Sequence, residues 1–458
     1  VAVNRRDFLQ RTGAASLGAS VAASLNGCAR RSAVAAAGAQ TAAPVQTAGS
    51  GTGSAWYDAM PALEPIRAHT DRLFRITVCL RPFRAQGPRI EVERVGDKLV
   101  VHNYGHGGSG WSLSWGSGSL AIERAMAAGG DVAGREVAVI GCGALGLTSA
   151  TLLQRAGARV TIYAKERPPE VRSSRATGSW TPDSRIALST DAPPSFAAQW
   201  EKMARTSWTM YQSYLGMPGA PVEFTDRYIL SDEPIPMPPA PGRQQPAMPG
   251  ELPRGPQGPA PAKAPGAIQT EGGEETRIPF ASYSSSVQDL TPRAIDMPPN
   301  SHPFPATHVR RNSSLMFNIA DYSRQLYSDF LVAGGKIETV EFHAPGELQA
   351  LQQNLVFNCT GYGARRLWAD ESIVPVRGQI GWLIPQPGAN YGLYFKNLSI
   401  LGRRDGIVVQ VSNQGENTGW KDENETPDRE EAEGGVRDLA ALYARMASSG
   451  KPPLAGGA

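Results

Sequence analysis

Residues 136–163 read Glu136-Val137-Ala138-Val139-Ile140, then Gly141-Cys142-Gly143-Ala144-Leu145-Gly146, then Leu147 to Ala156, Gly157, and Arg159-Val160-Thr161-Ile162-Tyr163. The first block is a short, nearly continuous apolar run, the pattern of a strand buried on both faces of a parallel sheet. The second is too rich in glycine to continue that strand. The third predicts a helix over Leu147–Ala156 stopped by Gly157, and the fourth a second strand. Strand, glycine turn, helix and strand in this order form the context a dinucleotide-binding fingerprint requires. Gly141 permits the tight turn, Gly143 lets backbone approach a pyrophosphate, and Gly146 lets the helix pack closely on the strand. Ala144 and Leu145 sit where a helix start offers N–H groups and positive partial charge to phosphates. An acidic residue expected near the end of the second strand is Glu166, with Lys165 beside it, and which of the two faces a ribose stays open. Cys142 reads as a small buried side chain.

The chain around this unit has 458 residues, 41% apolar and 19% charged, enough for two or three folded domains. Its 45 basic and 42 acidic side chains leave a net charge of +3, which argues against nucleic acid as a partner. Four cysteines exclude a disulfide-rich scaffold, and the six histidines show no metal-ligand spacing. No apolar run reaches the roughly 20 residues of a membrane span. The first residues, Asn4-Arg5-Arg6-Asp7-Phe8-Leu9, lead into a weakly apolar stretch, Gly13 to Leu25, and then Asn26-Gly27-Cys28. This pattern resembles a twin-arginine export signal over 1–28 that ends in a lipobox, so a periplasmic protein anchored through a lipidated Cys28 is expected. Residues 29–60 have the composition of a flexible linker. Residues 234–265 hold twelve prolines and read as an insertion that builds no core.

After the second strand, Ser173-Ser174-Arg175-Ala176-Thr177-Gly178-Ser179-Trp180-Thr181-Pro182 reads as a loop that is small, polar and glycine-bearing. Upstream, Leu80-Arg81-Pro82-Phe83-Arg84 leads to His102-Asn103-Tyr104-Gly105-His106-Gly107-Gly108-Ser109-Gly110-Trp111-Ser112. The second segment lets backbone come close to a flat ligand. Pro82 holds Arg81 extended, and a fixed guanidinium fork suits a carboxylate. The residues from Leu113 to Ala128 read as a helix.

These segments, with Val356-Phe357-Asn358-Cys359-Thr360-Gly361 and Pro375-Val376-Arg377-Gly378-Gln379, closely resemble the D-amino-acid oxidase family. The resemblance implies an α/β fold in which a Rossmann-like FAD-binding domain joins a mixed, largely antiparallel substrate-binding domain. It implies an enzyme with FAD as cofactor, a D-amino acid and O2 as partners, hydride transfer from the substrate Cα to flavin N5, and keto acid, ammonia and peroxide as products. Arg81 would pair with the substrate carboxylate and the Gly108 carbonyl would take the amine. Gly107, Ser109, Gly110, Trp111 and Ser112 would hold the flavin. Ser173, Ser174, Gly178, Trp180 and Gly361 would complete the cofactor site. His102 and His106 read as loop-forming hydrogen bonders rather than catalysts.

In the family, the arginine-proline and histidine-glycine segments follow the nucleotide unit. Here they precede it, which implies a circular permutant in which Met446 and Arg72 lie close together. A helix capped by Thr426 and started by Pro427, with Ala432, Val436, Leu439, Tyr443 and Met446 on its apolar face, is expected to lead toward that junction. The resulting segments are 61–130 (permuted strand, loop and helix), 131–190 (FAD-binding βαβ), 191–345 (mixed), 346–380 (return strand), 381–447 (substrate-domain strands and helix) and a tail, 448–458. Further helices are expected over Phe196–Tyr214 and Phe317–Val332. Tyr394 or Phe395, and Ser399, fall where the family carries tyrosines over the substrate. Gln410 and Asn413 would line a roomier or more polar pocket. The rivals are another flavin amine oxidase or dehydrogenase, acting on glycine, N-methyl or acidic D-amino acids, and a flavin- or ligand-binding protein without turnover.

Overall fold

Alternation of apolar runs with glycine turns yields, in chain order, β1 (Leu73–Arg84), β2 (Val92–Val95), β3 (Lys98–His102), α1 (Gly110–Gly129), β4 (Glu136–Ile140), α2 (Ala144–Arg155) and β5 (Arg159–Ala164). The chain continues through α3 (Phe196–Gln212), β6 (Val222–Ser231), the short β7 (Ala267–Gln269) and β8 (Glu275–Arg277), β9 (Ile295–Met297), β10 (His308–Phe317), α4 (Ile319–Val332) and β11 (Lys336–Thr339). It closes with β12 (Leu355–Asn358), α5 (Ala364–Leu367), β13 (Ile373–Leu383), β14 (Gly392–Phe395), β15 (Leu398–Arg403), β16 (Gly406–Val411) and α6 (Arg429–Ser448). This is a computed structural model that describes residues 63–129, 132–236, 267–269, 275–299 and 301–448. The export signal with Cys28, the 29–60 linker, nearly all of the proline-rich stretch and the tail beyond 448 lie outside the described residues.

Two large sheets organise these elements. One has the order β11-β5-β4-β12-β3-β2 and is parallel except for its edge strand β2. Val137, Ala138 and Val139 of β4 are wholly buried because helices and loops cover both faces, as a parallel sheet demands. The other sheet has the order β1-β13-β16-β15-β14-β6-β10-β9 and is antiparallel except where β14 runs beside β6. The expected fold class, a Rossmann-like sheet joined to a largely antiparallel one, is the architecture observed. The stretch 61–130 serves both sheets: β1 enters the antiparallel one, while β2 and β3 enter the parallel one.

Helix boundaries differ from the sequence reading in instructive ways. Helix α2 begins at Ala144, three residues before Leu147, because the Leu147 N–H already bonds the Gly143 carbonyl at 2.9 Å. Phe317 ends β10 rather than starting α4, and the buried Asn318 amide between them is held by the Ala220 carbonyl and Glu223. Neither Thr426 nor Pro427 starts α6. The Asp428 carboxylate caps the helix by accepting the Glu431 N–H at 3.0 Å, and Gln379 of β13 fixes Asp428 in turn. A cap tied to the sheet prevails over one suggested by local sequence.

Of the apolar stripe expected on α6, Ala432, Val436, Leu439 and Met446 are buried and Tyr443 is half-buried, while Leu442, outside that expectation, is buried with them. They share one core with Leu63, Ile66, Ala68 and Leu73, the approach to β1. Tyr391 joins the two stretches, its hydroxyl lying 2.8 Å from both the Glu64 carbonyl and the Tyr443 hydroxyl. The last turns of α6 and the start of β1 are therefore neighbours.

Candidate active site

The glycine turn after β4 is set by close approach. Gly141 has φ +102° and a Cβ there would stand 2.6 Å from the Cys359 carbonyl oxygen. A side chain at Gly146 would collide with the Gly141 carbonyl, so this glycine seats the start of α2 against the turn. Gly143 faces Ser173, whose hydroxyl accepts the Ala144 N–H at 3.1 Å. Ser173 thus binds the start of α2 to the 173–182 loop, and the same residue's carbonyl accepts the Trp111 indole N–H at 2.8 Å.

The glycine tract 103–110 reaches the same place from β3. Gly107 donates its N–H to the Pro82 carbonyl at 2.8 Å, which stitches the tract to β1 one residue past Arg81. Gly107 has φ +53°, and any side chain on it would meet the Arg185 carbonyl. Gly108 donates its N–H to the Ser184 carbonyl at 3.0 Å. Arg81 is held by one bond, Nη1 to the Arg377 carbonyl at 3.1 Å, and its guanidinium lies over Gly378, where a Cβ would overlap it. The rest of the fork meets no protein acceptor among the described residues.

A cavity of about 1200 Å³ joins these pieces. Arg81, Gly107, Gly108, Gly110, Trp111 and Ser112 line one part of it. Gly141, Gly143, Ala144, Leu145, Lys165 and Glu166 line another, with Ser173, Gly178 and Gly361 between. Tyr394 and Ser399, directly opposite each other on β14 and β15, face it as well. Four expected cofactor residues do not line it. Gly146 packs inside the turn, Ser109 is fully buried with its hydroxyl on the Ser184 carbonyl, and the Ser174 hydroxyl is enclosed away from it. Trp180 turns into the core against Trp208, at 5.1 Å between ring centroids, because so large an apolar surface gains more there. Ser112 lines the cavity, but its hydroxyl accepts the Thr181 N–H at 2.9 Å and so positions the neighbouring loop. Gln410 borders the cavity, whereas Asn413 lies in an adjoining polar recess.

Several site residues carry no local sequence signal. Arg403 is buried and paired with Asp405, and its Nη1 donates to the Ala176 and Thr177 carbonyls, which holds the 173–182 loop. Arg185, three residues beyond that loop, lines the cavity and donates to the Glu416 carbonyl. An arginine in a polar loop looks like surface until strands remote in sequence enclose it. Among the described residues there is no cluster able to hold a metal.

The histidines are neutral struts. His102 Nε2 meets Glu93 at 2.9 Å and its Nδ1 faces Asn358 at 3.1 Å, while His106 Nε2 meets the Ser117 hydroxyl at 2.7 Å. Burial lowers His102 to about 4 and His106 to about 3. Cys142 and Cys359 are buried thiols pushed up to about 12, which leaves them inert.

Two outcomes follow. Both histidines bind a proton more readily unfolded, near pH ~6.5, so the stability present above that value is lost as pH falls toward about 4. Urea unfolding should show a loss of roughly 1–2 kcal/mol per histidine between about pH 7 and about pH 5; unchanged midpoints would contradict buried neutral rings. Gly146→Ala should displace the start of α2 and lower retained flavin at least ~10-fold, read as visible absorbance per protein, because the phosphate-facing N–H groups move with the helix.

The chain is similar in sequence to known proteins. Residues 136–233 match the family described as FAD dependent oxidoreductase (DAO). A D-amino acid oxidase of Dugesia ryukyuensis is 36% identical over 104 residues, 22% of this chain and 31% of that protein. A D-amino-acid oxidase of Streptomyces coelicolor is 26% identical over 319 residues, 69% of this chain and 79% of that protein. One of Dictyostelium discoideum is 54% identical over 50 residues, 10% of this chain and 14% of that protein. The chain thus matches under a third of the length of the flatworm relative and a smaller share of the slime-mould one. Among solved structures, an L-amino acid deaminase from Proteus vulgaris aligns with TM-score 0.36 and 11% identity, covering 61% of this chain and 60% of that one. The residues fit FAD: Gly143 brings no side-chain cap to the start of α2, and at the cavity wall Arg172 Nε and His106 Nδ1 are buried with no protein partner among the described residues. The cavity that runs from the glycine turn to the tract beside Arg81 is thus built on a stretch, residues 136–233, that matches a FAD dependent oxidoreductase family.

Proposed function

We propose that this enzyme oxidatively deaminates D-amino acids, with Arg81 binding the substrate carboxylate and the Gly108 carbonyl the amine. The observation that carries this reading is the convergence of Arg81 and Gly108 on the cavity that begins at Gly141 and Gly143. FAD, when bound, supplies the two-electron acceptor for the hydrogen on the substrate Cα. The protein's part is orientation. The free part of the Arg81 fork fits both oxygens of a carboxylate, a geometry a lysine cannot reproduce. A second anchor at Gly108 fixes the amine, so the Cα–H has one direction left to point. No general base is assigned, since an amine bound neutral needs none; His102 is held at both ring nitrogens and His106 at Nε2. The imino acid hydrolyses in water to a keto acid and ammonia. Tyr394 and Ser399 border the substrate end, with the Tyr394 hydroxyl accepting from Arg227 at 3.3 Å.

We also infer that the chain is a circular permutant of the oxidase order. The shared core of Leu63, Ile66 and Leu73 with Leu442 and Met446 supports this, because a direct link from the end of α6 to β1 would be short.

Purified protein should be yellow, and D-amino acids should bleach it anaerobically faster than their L-enantiomers; the reverse order overturns the reading. Arg81→Lys should keep its flavin while kcat/KM falls by about 100-fold or more, the scale of a lost charge-assisted fork. Release of peroxide in air separates oxidase from dehydrogenase. A rearranged chain that runs from residue 132 to Met446 and is then joined to residues 63–129 should fold and hold FAD; insoluble or colourless protein would count against the permutation.

A further inference from the structure

A second guanidinium stands beside Arg81. Arg185 has φ +50° and follows Ser184, the residue whose carbonyl takes the Gly108 N–H. Its Nε donates to the Glu416 carbonyl at 2.7 Å and its Nη2 to the Gly415 carbonyl at 3.3 Å, which aims the group; the Glu416 carboxylate, on the same cavity, answers part of its charge without forming an ion pair with it. Arg81 and Arg185 both line the main cavity and both line a polar recess of about 290 Å³ that adjoins it. Gln410, Asn413 and Gln414 supply much of the recess wall. Arg377, the third arginine there, has its charge answered by Asp422 at 3.8 Å and Glu431 at 4.0 Å. Arg81 and Arg185 form no ion pair among the described residues. Burial, and then the charge of Arg81, pull Arg185 down to about 9. At neutral pH it is still a cation.

We propose that Arg81 and Arg185 together bind a substrate with two carboxylates, so that the preferred substrate is an acidic D-amino acid with its side-chain carboxylate on Arg185. This rests on the reading of Arg81 as the anchor of the α-carboxylate. A single carboxylate would answer one of two adjacent guanidiniums, Arg81 half-buried and Arg185 more deeply desolvated, and leave the other unpaired, which is the costly arrangement. A second carboxylate answers both. The recess has room for a short side chain, and the amides of Gln410 and Asn413 offer donors to an anion as well as acceptors. A purely structural Arg185, tying down the 415–416 turn, would stabilise the fold and make no distinction between an acid and its amide.

The test compares isosteric pairs on the full flavin-loaded enzyme: D-aspartate against D-asparagine, and D-glutamate against D-glutamine. The proposal requires kcat/KM for one acid to exceed that of its amide by at least ~10-fold, the scale of a charged hydrogen bond. Arg185→Met should bring that ratio to about one while the flavin spectrum is kept, and Arg185→Lys should restore part of it. If the amides or D-alanine are oxidised as well as the acids, the proposal falls and the D-amino-acid reading stands. If no D-amino acid is oxidised, that reading falls. The anion pair is then decided by titration of wild-type flavin absorbance with succinate and with its monoamide: tighter succinate binding supports the pair, and equal binding ends it. The wild-type comparisons hold even if the Arg185 variants fail to fold.

Discussion

The hydrogen bond from the Gly107 N–H to the Pro82 carbonyl is the constraint on which the site depends. It joins a loop leaving the parallel sheet to a strand of the antiparallel sheet, at the residue after Arg81. It forms only because Gly107 can take a positive φ with the Arg185 carbonyl pressed against its α-carbon. One backbone contact thereby sets the glycine tract, the Arg81 fork and the Arg185 loop in mutual register. Interiors pack too tightly for such a contact to shift without moving all three.

The rest of the fold holds this contact in place. β1 pairs with β13 along most of its length, so the β1 position of Arg81 is fixed by an eleven-residue strand (Ile373–Leu383) rather than by a loop. β3 lies in the parallel sheet beside β12, so the tract starts from a rigid base. The intervening 173–182 loop is clamped by three groups, the Ser173 hydroxyl on Ala144 N–H, the Ser112 hydroxyl on Thr181 N–H, and Arg403 on two carbonyls. The chemistry of such a site is mostly positioning, and rigid elements with locked neighbours supply it.

Charge follows the same logic. The acids and bases of the tract are matched inside the protein: Arg89 with Glu91 and Glu93, His102 with Glu93, Arg403 with Asp405. Arg81 and Arg185, which face the cavity, have no ion pair among the described residues. Buried charges left without a protein partner are costly, and a ligand is the natural source of the missing one.

Much could be read directly from residues 136–163. Periodicity and three glycines specify the strand, turn, helix and strand, because a buried parallel strand must be apolar throughout and a turn against a helix admits no side chain. The stripe on α6 was equally legible, since helical spacing is a local property. Trp180 was misleading: its position in a polar loop suggested the cofactor, while aromatic packing against Trp208 drew it into the core. The cap of α6 passed to Asp428 because Gln379, from a strand about fifty residues earlier, holds it. Arg185 was silent in the sequence for the same reason. Local patterns record what a residue does with its near neighbours, whereas the partners of Arg185 come from residues 81, 107 and 415–416. Only chain closure across both sheets brings their charges and carbonyls within reach.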